Sequence, residues 1–432
     1  MTVFLSLLKK TEEVLSQVDL SVGEFLDEAF FNSELISDFK LRASYAEVGN
    51  VSLPGGAFPY AGGFGPVQAA AGAGIGYSNV ANVALQWETS KKFNVGLDLT
   101  IGRVTISADY FKNNVDGIVL NAPTAPSLGI PGNTISQNVG EMYNQGVELR
   151  AFANVINKGK FSWNTDFNFT FIENEVTNLV RPLTGTYNRT VVGGPIAQLY
   201  GFKWAGVNPA NGNAMYYSGE NIVQLIGASS WRAFDPANPD VVATAGTAPT
   251  QFFLGNTLPK FQGGWSNSFN YGNWDAEIFV RYSGGNYIMN ESLRGLMGLG
   301  FSNNHKEILN RWTESGQATD VPKLYSGRDA NTWQTSASNS RFIEKGDFIR
   351  VQNIVLGYKI PATTLNTAFN GAIRSARFFA QVQNPLIFTK YSGIDPESNQ
   401  FSGGNAPQLQ FGVDWNVAPI IRTWSVGLNV GF

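Results

Sequence analysis

The chain has 432 residues, no cysteine, a single histidine and a formal net charge of −3. Without cysteine it forms neither disulfide frameworks nor thiol-based catalytic sites, and its weak negative charge gives no reason to expect nucleic-acid binding. Charged residues make up only 15% of the chain, a low share for a soluble protein of this length. The sequence contains no run of about 20 apolar residues, the length that a transmembrane helix requires.

Apolar and polar residues alternate with a period of two along much of the chain, which predicts β-strands with two different faces. In residues 93–101 the odd positions are large and apolar, and the even positions are polar or small. The alternation is clearest in the final strand, where every second residue from Trp424 to Phe432 is apolar. We predict twelve strands, at 40–48, 92–101, 103–113, 142–153, 160–171, 198–207, 213–224, 260–270, 274–283, 347–359, 376–384 and 422–432.

The predicted strand at 347–359 changes phase part of the way along. Ile349 and Val351 lie at odd positions, whereas Leu356 and Tyr358 lie at even positions. One extra residue in a strand moves the side chains beyond it to the opposite face, so we predict a β-bulge near Asn353.

The connections between the predicted strands alternate between long and short. The long ones are roughly 49–91, 114–141, 172–197, 225–259, 284–346 and 385–421. The short ones centre on Gly102, 157–159, 208–212 and 272–273, and the connection at 360–375 is intermediate. Short periplasmic turns and long extracellular loops are typical of outer-membrane barrels. Placing the long loops outside leaves both ends of the chain in the periplasm.

The two faces of the predicted strands differ in a way that favours lipid. One face carries large apolar side chains, and the other is small and polar but rarely charged. Aromatic residues lie near strand ends, as in the girdles of membrane barrels, at Trp163, Trp265, Trp274, Tyr282, Tyr358 and Trp424. Strands of about ten residues are long enough to cross a bilayer at a tilt, and lipid requires that they close into a ring. We therefore predict an all-β, transmembrane antiparallel β-barrel rather than a soluble β-sandwich, whose strands also alternate.

The last strand carries a second signal. A terminal aromatic residue, here Phe432, with apolar residues at every second position before it, resembles the C-terminal signal that the barrel-assembly machinery reads. The alternative is an ordinary amphipathic edge strand, but an exposed apolar edge is an aggregation hazard in a soluble protein. We therefore predict an outer-membrane protein in contact with lipid and with that machinery.

Several segments resemble the SusC/RagA-like TonB-dependent receptors in order and spacing. Two of them are Gly-Asp-Phe-Ile-Arg-Val-Gln-Asn at 346–353 and Tyr-Ser-Gly-Ile-Asp-Pro-Glu at 391–397. The others are 37–45 with 48–50, 87–98, 109–111, 144–149, 208–212, 356–358 with Pro361, and 384–389. The resemblance covers about 24–432, and residues 1–23 remain unassigned.

The resemblance implies a fold and a role. Members of this family are barrels of about 22 strands with an N-terminal plug inside. A SusD-like surface lipoprotein caps the extracellular mouth, and the TonB complex drives import of oligosaccharides, peptides or other nutrients. This chain would supply the C-terminal part of such a barrel, about 12 of the 22 strands, without the plug. The first and last strands of this partial barrel would then each have an unpaired edge, so we expect the chain alone to aggregate or fail to insert.

The N-terminus does not resemble a secretory signal. Its apolar run, 1–8, is followed rather than preceded by Lys9 and Lys10, and no small-residue cleavage site comes after it. Because a barrel protein is exported, we expect the chain to be a fragment that lacks the signal, the TonB box and the plug.

The sequence contains no recognisable catalytic arrangement. One histidine, His305, cannot supply a nucleophile–base system of the usual kind and is interpreted as a solvated loop residue. Asp395 and Glu397 suggest paired carboxylates, but they lie in a proline-containing loop where a structural turn is the simpler interpretation. The glycine-rich stretch at 55–76 lacks the strand–loop–helix context of a phosphate loop. We therefore predict no enzyme activity, no catalytic residues and no cofactor or metal site.

One loop cluster is a candidate for recognition. Residues 320–323 with Trp312 and Trp333 combine charge with aromatic rings that stack on sugars. The same residues suit packing against a lipoprotein partner, which we prefer. The substrate-binding residues are otherwise unknown, and the sequence does not identify the substrate. Two other classes of protein stay open: a soluble or surface-exposed all-β carbohydrate-binding module or adhesin, and a simple diffusion porin.

Overall fold

The computed structural model describes residues 3–9, 15–22, 35–50, 60–69, 72–226, 230–243, 246–297, 303–323, 338–397 and 411–432. Strands dominate this part of the chain. Among its helices, none combines the length and the apolar character needed to cross a membrane.

A twelve-stranded antiparallel sheet runs through the molecule, and each strand pairs with its neighbours in chain order. Its strands are β1 Val3–Lys9, β2 Leu15–Val22, β3 Ile36–Asn50, β4 Glu88–Ile101, β5 Val104–Pro123, β6 Thr134–Lys158, β7 Phe161–Asn178, β8 Phe261–Tyr271, β9 Trp274–Gly284, β10 Phe348–Lys359, β11 Ser375–Thr389 and β12 Thr423–Gly431. The sheet is not closed into a ring, because β1 and β12 do not pair with each other.

Ten of the predicted strands correspond to β3–β12, and two do not. Residues 198–207 and 213–224 do form strands, but these belong to smaller sheets outside the large one. In 214–216 three consecutive residues are buried, whereas a strand of the large sheet alternates between two environments. The large sheet instead contains β1 and β2, which lie in the stretch that the sequence left unassigned.

Three tight turns join neighbouring strands of the large sheet, and all three lie at the same end of the strands. They begin at Gly102, Gly159 and Gly272, whose φ angles are 57°, 60° and 59°. A glycine with positive φ at the first loop position suits a two-residue hairpin turn between twisted strands. A longer connection at this end, 360–374, contains helix α2 (Ala362–Phe369).

At the opposite end of the strands lie the long connections 51–87, 124–133, 179–260, 285–347 and 390–422. The predicted asymmetry between the two ends of the strands is thus confirmed for the short turns at Gly102, 157–159 and 272–273, whereas the predicted short turn at 208–212 lies within the long connection 179–260. The predicted loop at 114–141 is wrong in extent, because β5 and β6 continue through it as paired strands up to Pro123 and Thr134. Register shifts near Ile118 interrupt the alternation there, which hid the strands from the periodicity.

The phase change in β10 is a β-bulge, as predicted. Phe279 pairs with Asn353, and Val280 pairs with Val351, so Gln352 has no partner in β9. The register toward β11 shifts at the same place.

The long connections fold into small sheets with short helices. Their strands are Gly63–Ala69 with Gly72–Asn79; Leu183–Thr184, Asn188–Thr190, Gln198–Phe202, Gln251–Gly255 and Ser338–Asn339; Trp204–Val207, Ala214–Ser218, Asn221–Ile226 and Ser230–Ala233; and Ile343–Lys345, Tyr287–Asn290 and Val413–Asp414. Helix α1 is Glu291–Leu296, and 3₁₀ turns lie at Pro126–Leu128, Pro131–Asn133, Lys306–Asn310 and Ser340–Phe342.

The hydrophobic core clusters lie in these connections and not on the large sheet. One contains Tyr187, Leu199, Met289, Met297, Val321, Phe342 and Val413. The other contains Ala214, Tyr216, Val223, Leu225 and Trp231. The apolar side chains of the large sheet therefore need an apolar environment other than a protein interior.

Candidate functional site

One face of the large sheet is apolar and exposed. Val95, Val147 and Phe167 are 41%, 40% and 40% exposed, and Trp424 and Val426 are each 75% exposed. Soluble monomers rarely expose a contiguous apolar surface of this extent. The residues are spaced at every second position over neighbouring strands, so they form a continuous band that requires an apolar environment.

Aromatic side chains border this band on both sides. Near the strand ends with the tight turns, Trp163 stacks on Phe269 and Trp274 packs against Tyr358. Toward the strand ends with the long connections, Tyr282 stacks on Phe167, and its hydroxyl donates a hydrogen bond to the Asn168 carbonyl at 2.8 Å. Rings with one apolar side and one polar atom suit the two interfaces of a bilayer.

The opposite face of the sheet is polar, and it carries more charge than the sequence suggested. Its charged side chains are joined across strands as ion pairs. Arg42 donates to Asp98 at 2.7 Å and to Asp109 at 3.0 Å, and Arg150 donates to Asp166 at 2.6 Å. The alternation placed these residues on one face, but it did not reveal that they neutralise one another.

Two of the ion pairs reach across an intervening strand at a glycine. Arg42 of β3 passes over Gly96 of β4 to Asp109 of β5, and a Cβ on Gly96 would lie 2.8 Å from the guanidinium carbon. Arg377 of β11 crosses Gly357 of β10 in the same way to Asp275 of β9. A side chain at either place would occupy the path of the arginine, so the ion pair would have to shift to accommodate it.

A segment of the last long connection is fastened to the polar face by a buried ion-pair cluster. Arg350 of β10 donates to Asp395 at 2.7 Å and to Glu397 at 2.8 Å, and Arg281 of β9 donates to Glu397 at 2.6 Å. The side chains of Arg350 and Asp395 are each only 5% exposed. We call these four residues the latch. Asp395 and Glu397 therefore hold a loop in place and are not arranged as a general acid–base pair.

The start of the same segment is held by a second contact. The Tyr391 hydroxyl donates to Asp414 at 2.7 Å, and burial together with this hydrogen bond raises the pKa of Tyr391 above its ordinary value. Asp395 also accepts from the Ile420 backbone N–H at 3.3 Å. The motif at 391–397 thus fixes the path of the connection that leads to β12.

A cavity of about 610 Å³, which we call the loop cavity, opens beside the latch. Helix α1, the turn after His305, the segment 392–394 and the segment 414–419 form its walls. His305 caps the 3₁₀ turn, since its Nδ1 accepts from the Glu307 N–H at 3.4 Å, and its side chain is 40% exposed. The one histidine is thus a partly solvated residue at the cavity wall.

The described residues of the predicted recognition cluster contact other residues of the same chain. The Trp312 indole donates to the Pro209 carbonyl at 2.8 Å, and the Lys323 ammonium lies 5.9 Å from the centre of the same ring. Asp320 accepts from the Trp204 indole at 2.7 Å. These residues join the β9–β10 connection to the β7–β8 connection, whereas Trp333 lies outside the described residues.

Gly212 is the position on which Trp312 rests. Its φ is +73°, and a Cβ there would lie 2.5 Å from the indole ring. We expect Gly212→Ala to lower the free energy of unfolding by about 1–3 kcal/mol, because the ring must move and the backbone is strained. Thermal unfolding in detergent measures the loss. Gly219→Ala is the control, with φ +61° and open space around it. Equal losses in the two variants would contradict the packing of Trp312.

Within the described ranges, no three His, Cys, Asp or Glu side chains are grouped to hold a metal ion. The chemistry that the described residues offer is recognition and passage: a polar wall of balanced charge, a fastened loop and a cavity beside it.

Comparison with known proteins agrees with this geometry. Residues 29–384 match the family described as TonB dependent receptor-like, beta-barrel. TonB-dependent receptor P3 of Formosa agariphila is 29% identical over 93% of this chain and 40% of its own length. TonB-dependent receptor SusC of Bacteroides thetaiotaomicron is 27% identical over 81% of this chain and 32% of its own length. The chain thus spans two fifths or less of the length of these relatives.

A solved structure shows the same fold. The RagAB peptide importer in its closed-closed state superposes with a TM-score of 0.77 and 22% identity, over 97% of this chain and 43% of that one. In a barrel of this kind the apolar face contacts lipid, and the polar face lines the interior. The chain belongs to the TonB-dependent receptor-like β-barrel family, within the SusC/RagA type, and is a protein of the outer membrane.

Proposed function

We propose that the chain forms the C-terminal part of the barrel of a SusC-type receptor that imports a nutrient across the outer membrane with energy from the TonB complex. The observation that carries this proposal is the two-faced sheet with its inward-folded long connection. An exposed apolar band needs lipid, and a polar wall with a loop fastened to it suits the passage of a polar solute. On this proposal the protein is a transporter and has no enzyme activity, in agreement with the naming of its relatives as receptors.

The proposal extends to boundaries and partners. The chain would supply about 12 of about 22 strands, ten of them within 24–432 and two, β1 and β2, within the stretch 1–23 that the sequence left unassigned. A SusD-like lipoprotein would cap the long connections, as the relationship to SusC and RagAB supports. The barrel-assembly machinery would recognise β12 and Phe432.

The substrate class is oligosaccharide, peptide or a similar nutrient. One structural neighbour is named as a peptide importer. A soluble carbohydrate-binding module or adhesin is not favoured, because it would have to leave the apolar band in water. A diffusion porin differs from the proposed receptor in needing neither a plug nor an energy source.

Two measurements on the complete receptor that contains this chain test the proposal. Protein in the outer-membrane fraction should dissolve only in detergent and migrate differently on a gel before and after heating. Cells that carry the protein should accumulate labelled oligopeptides or oligosaccharides, and deletion of the TonB complex should abolish the accumulation. Solubility without detergent would reject the barrel, and uptake that persists without TonB would indicate a porin.

A further inference from the structure

The loop cavity has a lining that selects among nutrient classes. Its apolar walls are aliphatic, from Leu293, Leu296, Ile394, Val417, Ala418 and Pro419. Among the described lining residues the His305 imidazole is the only aromatic ring. Sugars are usually held by stacking of their apolar faces on aromatic rings, and the described lining residues include no such ring besides His305. Branched aliphatic walls instead suit aliphatic side chains.

The charge at the cavity points the same way. Among the described lining residues, the ionisable ones are Glu307, Asp414 and His305, so this part of the lining presents carboxylates. Asp414 is 4% exposed and already accepts the Tyr391 hydroxyl. The Glu307 side chain is 41% exposed, and the His305 imidazole lies 3.7 Å from its carboxylate. A carboxylate in this position favours a ligand with an ammonium group.

The geometry is suited to a ligand that offers both groups at once. Leu296 is 43% exposed and Ile394 is 70% exposed, on walls that face the same space as Glu307. A volume of about 610 Å³ lies within the usual range for small-molecule sites. We propose that the loop cavity binds a short peptide, with Glu307 accepting from its free amino terminus and Leu296 and Ile394 contacting an aliphatic side chain. This inference rests on the proposed import function and names its substrate class.

Binding of trileucine by the protein extracted from outer membranes tests the inference by calorimetry. The free peptide should bind at least ten-fold more tightly than its N-acetylated form, because acetylation removes the charge that Glu307 recognises. Glu307→Gln should weaken the free peptide about ten-fold and leave the acetylated form unchanged. Glu314→Gln, an exposed carboxylate in the same connection but outside the cavity, is the matched control and should change neither.

A second variant tests the aliphatic wall. Leu296→Ser should weaken trileucine more than trialanine, since only the former reaches the wall. Equal affinity for free and acetylated trileucine, no binding of either, or equal effects of the two glutamate variants would overturn the inference. Binding of maltotriose that depends on Glu307 would overturn it as well. Binding needs no TonB complex, so loss of energised uptake with these affinities intact would reject only the proposed function.

Discussion

Replacing Arg350 with methionine is expected to lower the free energy of unfolding by about 3–5 kcal/mol, because it leaves buried carboxylates without their counter-charge. The side chains of Asp395 and Glu397 are 5% and 14% exposed, so water cannot replace the guanidinium. Arg281 still reaches Glu397, but Asp395 has no other arginine partner among the described residues. Thermal unfolding in detergent measures the loss of stability, and limited proteolysis should show faster cleavage within 390–422.

Two further variants make this result specific to the latch. Arg150→Met breaks an ion pair whose arginine is 62% exposed, and it should cost no more than about 1 kcal/mol. Adding Asp395→Asn to Arg350→Met should recover part of the stability, because a neutral amide is easier to bury than an unpaired carboxylate. If Arg350→Met and Arg150→Met behaved alike, the latch would not be what holds the connection.

Arginine at Val95 is expected to destabilise the protein in lipid by about 2–4 kcal/mol, the cost of a charged side chain near the middle of a lipid-facing strand. Val95 lies near the centre of β4 on the apolar face and is 41% exposed in the absence of lipid. Urea unfolding in vesicles, followed by the heat-dependent gel shift, reports the change. The folded fraction should fall at a lower urea concentration than in the unsubstituted protein.

The adjacent residue supplies the control for this prediction. Asn94 lies on the polar face beside a cavity of about 280 Å³ that also contacts Ser44 and Phe111, so a longer side chain has room there. Asn94→Arg should therefore change stability by less than about 1 kcal/mol. Equal losses at 94 and 95 would mean that the two faces do not meet lipid and water respectively.

The sequence by itself determined the class of fold and most of the large sheet. Alternation with a period of two is a local property, and it located β3–β12 because lipid and the polar interior impose opposite demands on successive residues. The tight turns at Gly102, Gly159 and Gly272 were equally local, since only the backbone conformation of the turn decides them. The bulge near Asn353 could be placed because it shifted the phase of the pattern.

Only the tertiary structure decided what the long connections do. Residues 198–207 and 213–224 look like barrel strands in sequence, yet they belong to small sheets within a long connection, where 214–216 are buried in succession. The latch joins Arg281 and Arg350 to carboxylates that lie far along the chain, and no periodicity records such a pairing. Likewise, Gly96 and Gly357 are ordinary small residues until an arginine from a neighbouring strand crosses them. Each of these features depends on side chains that meet across the sheet, so the positions of the strands in space had to be known first.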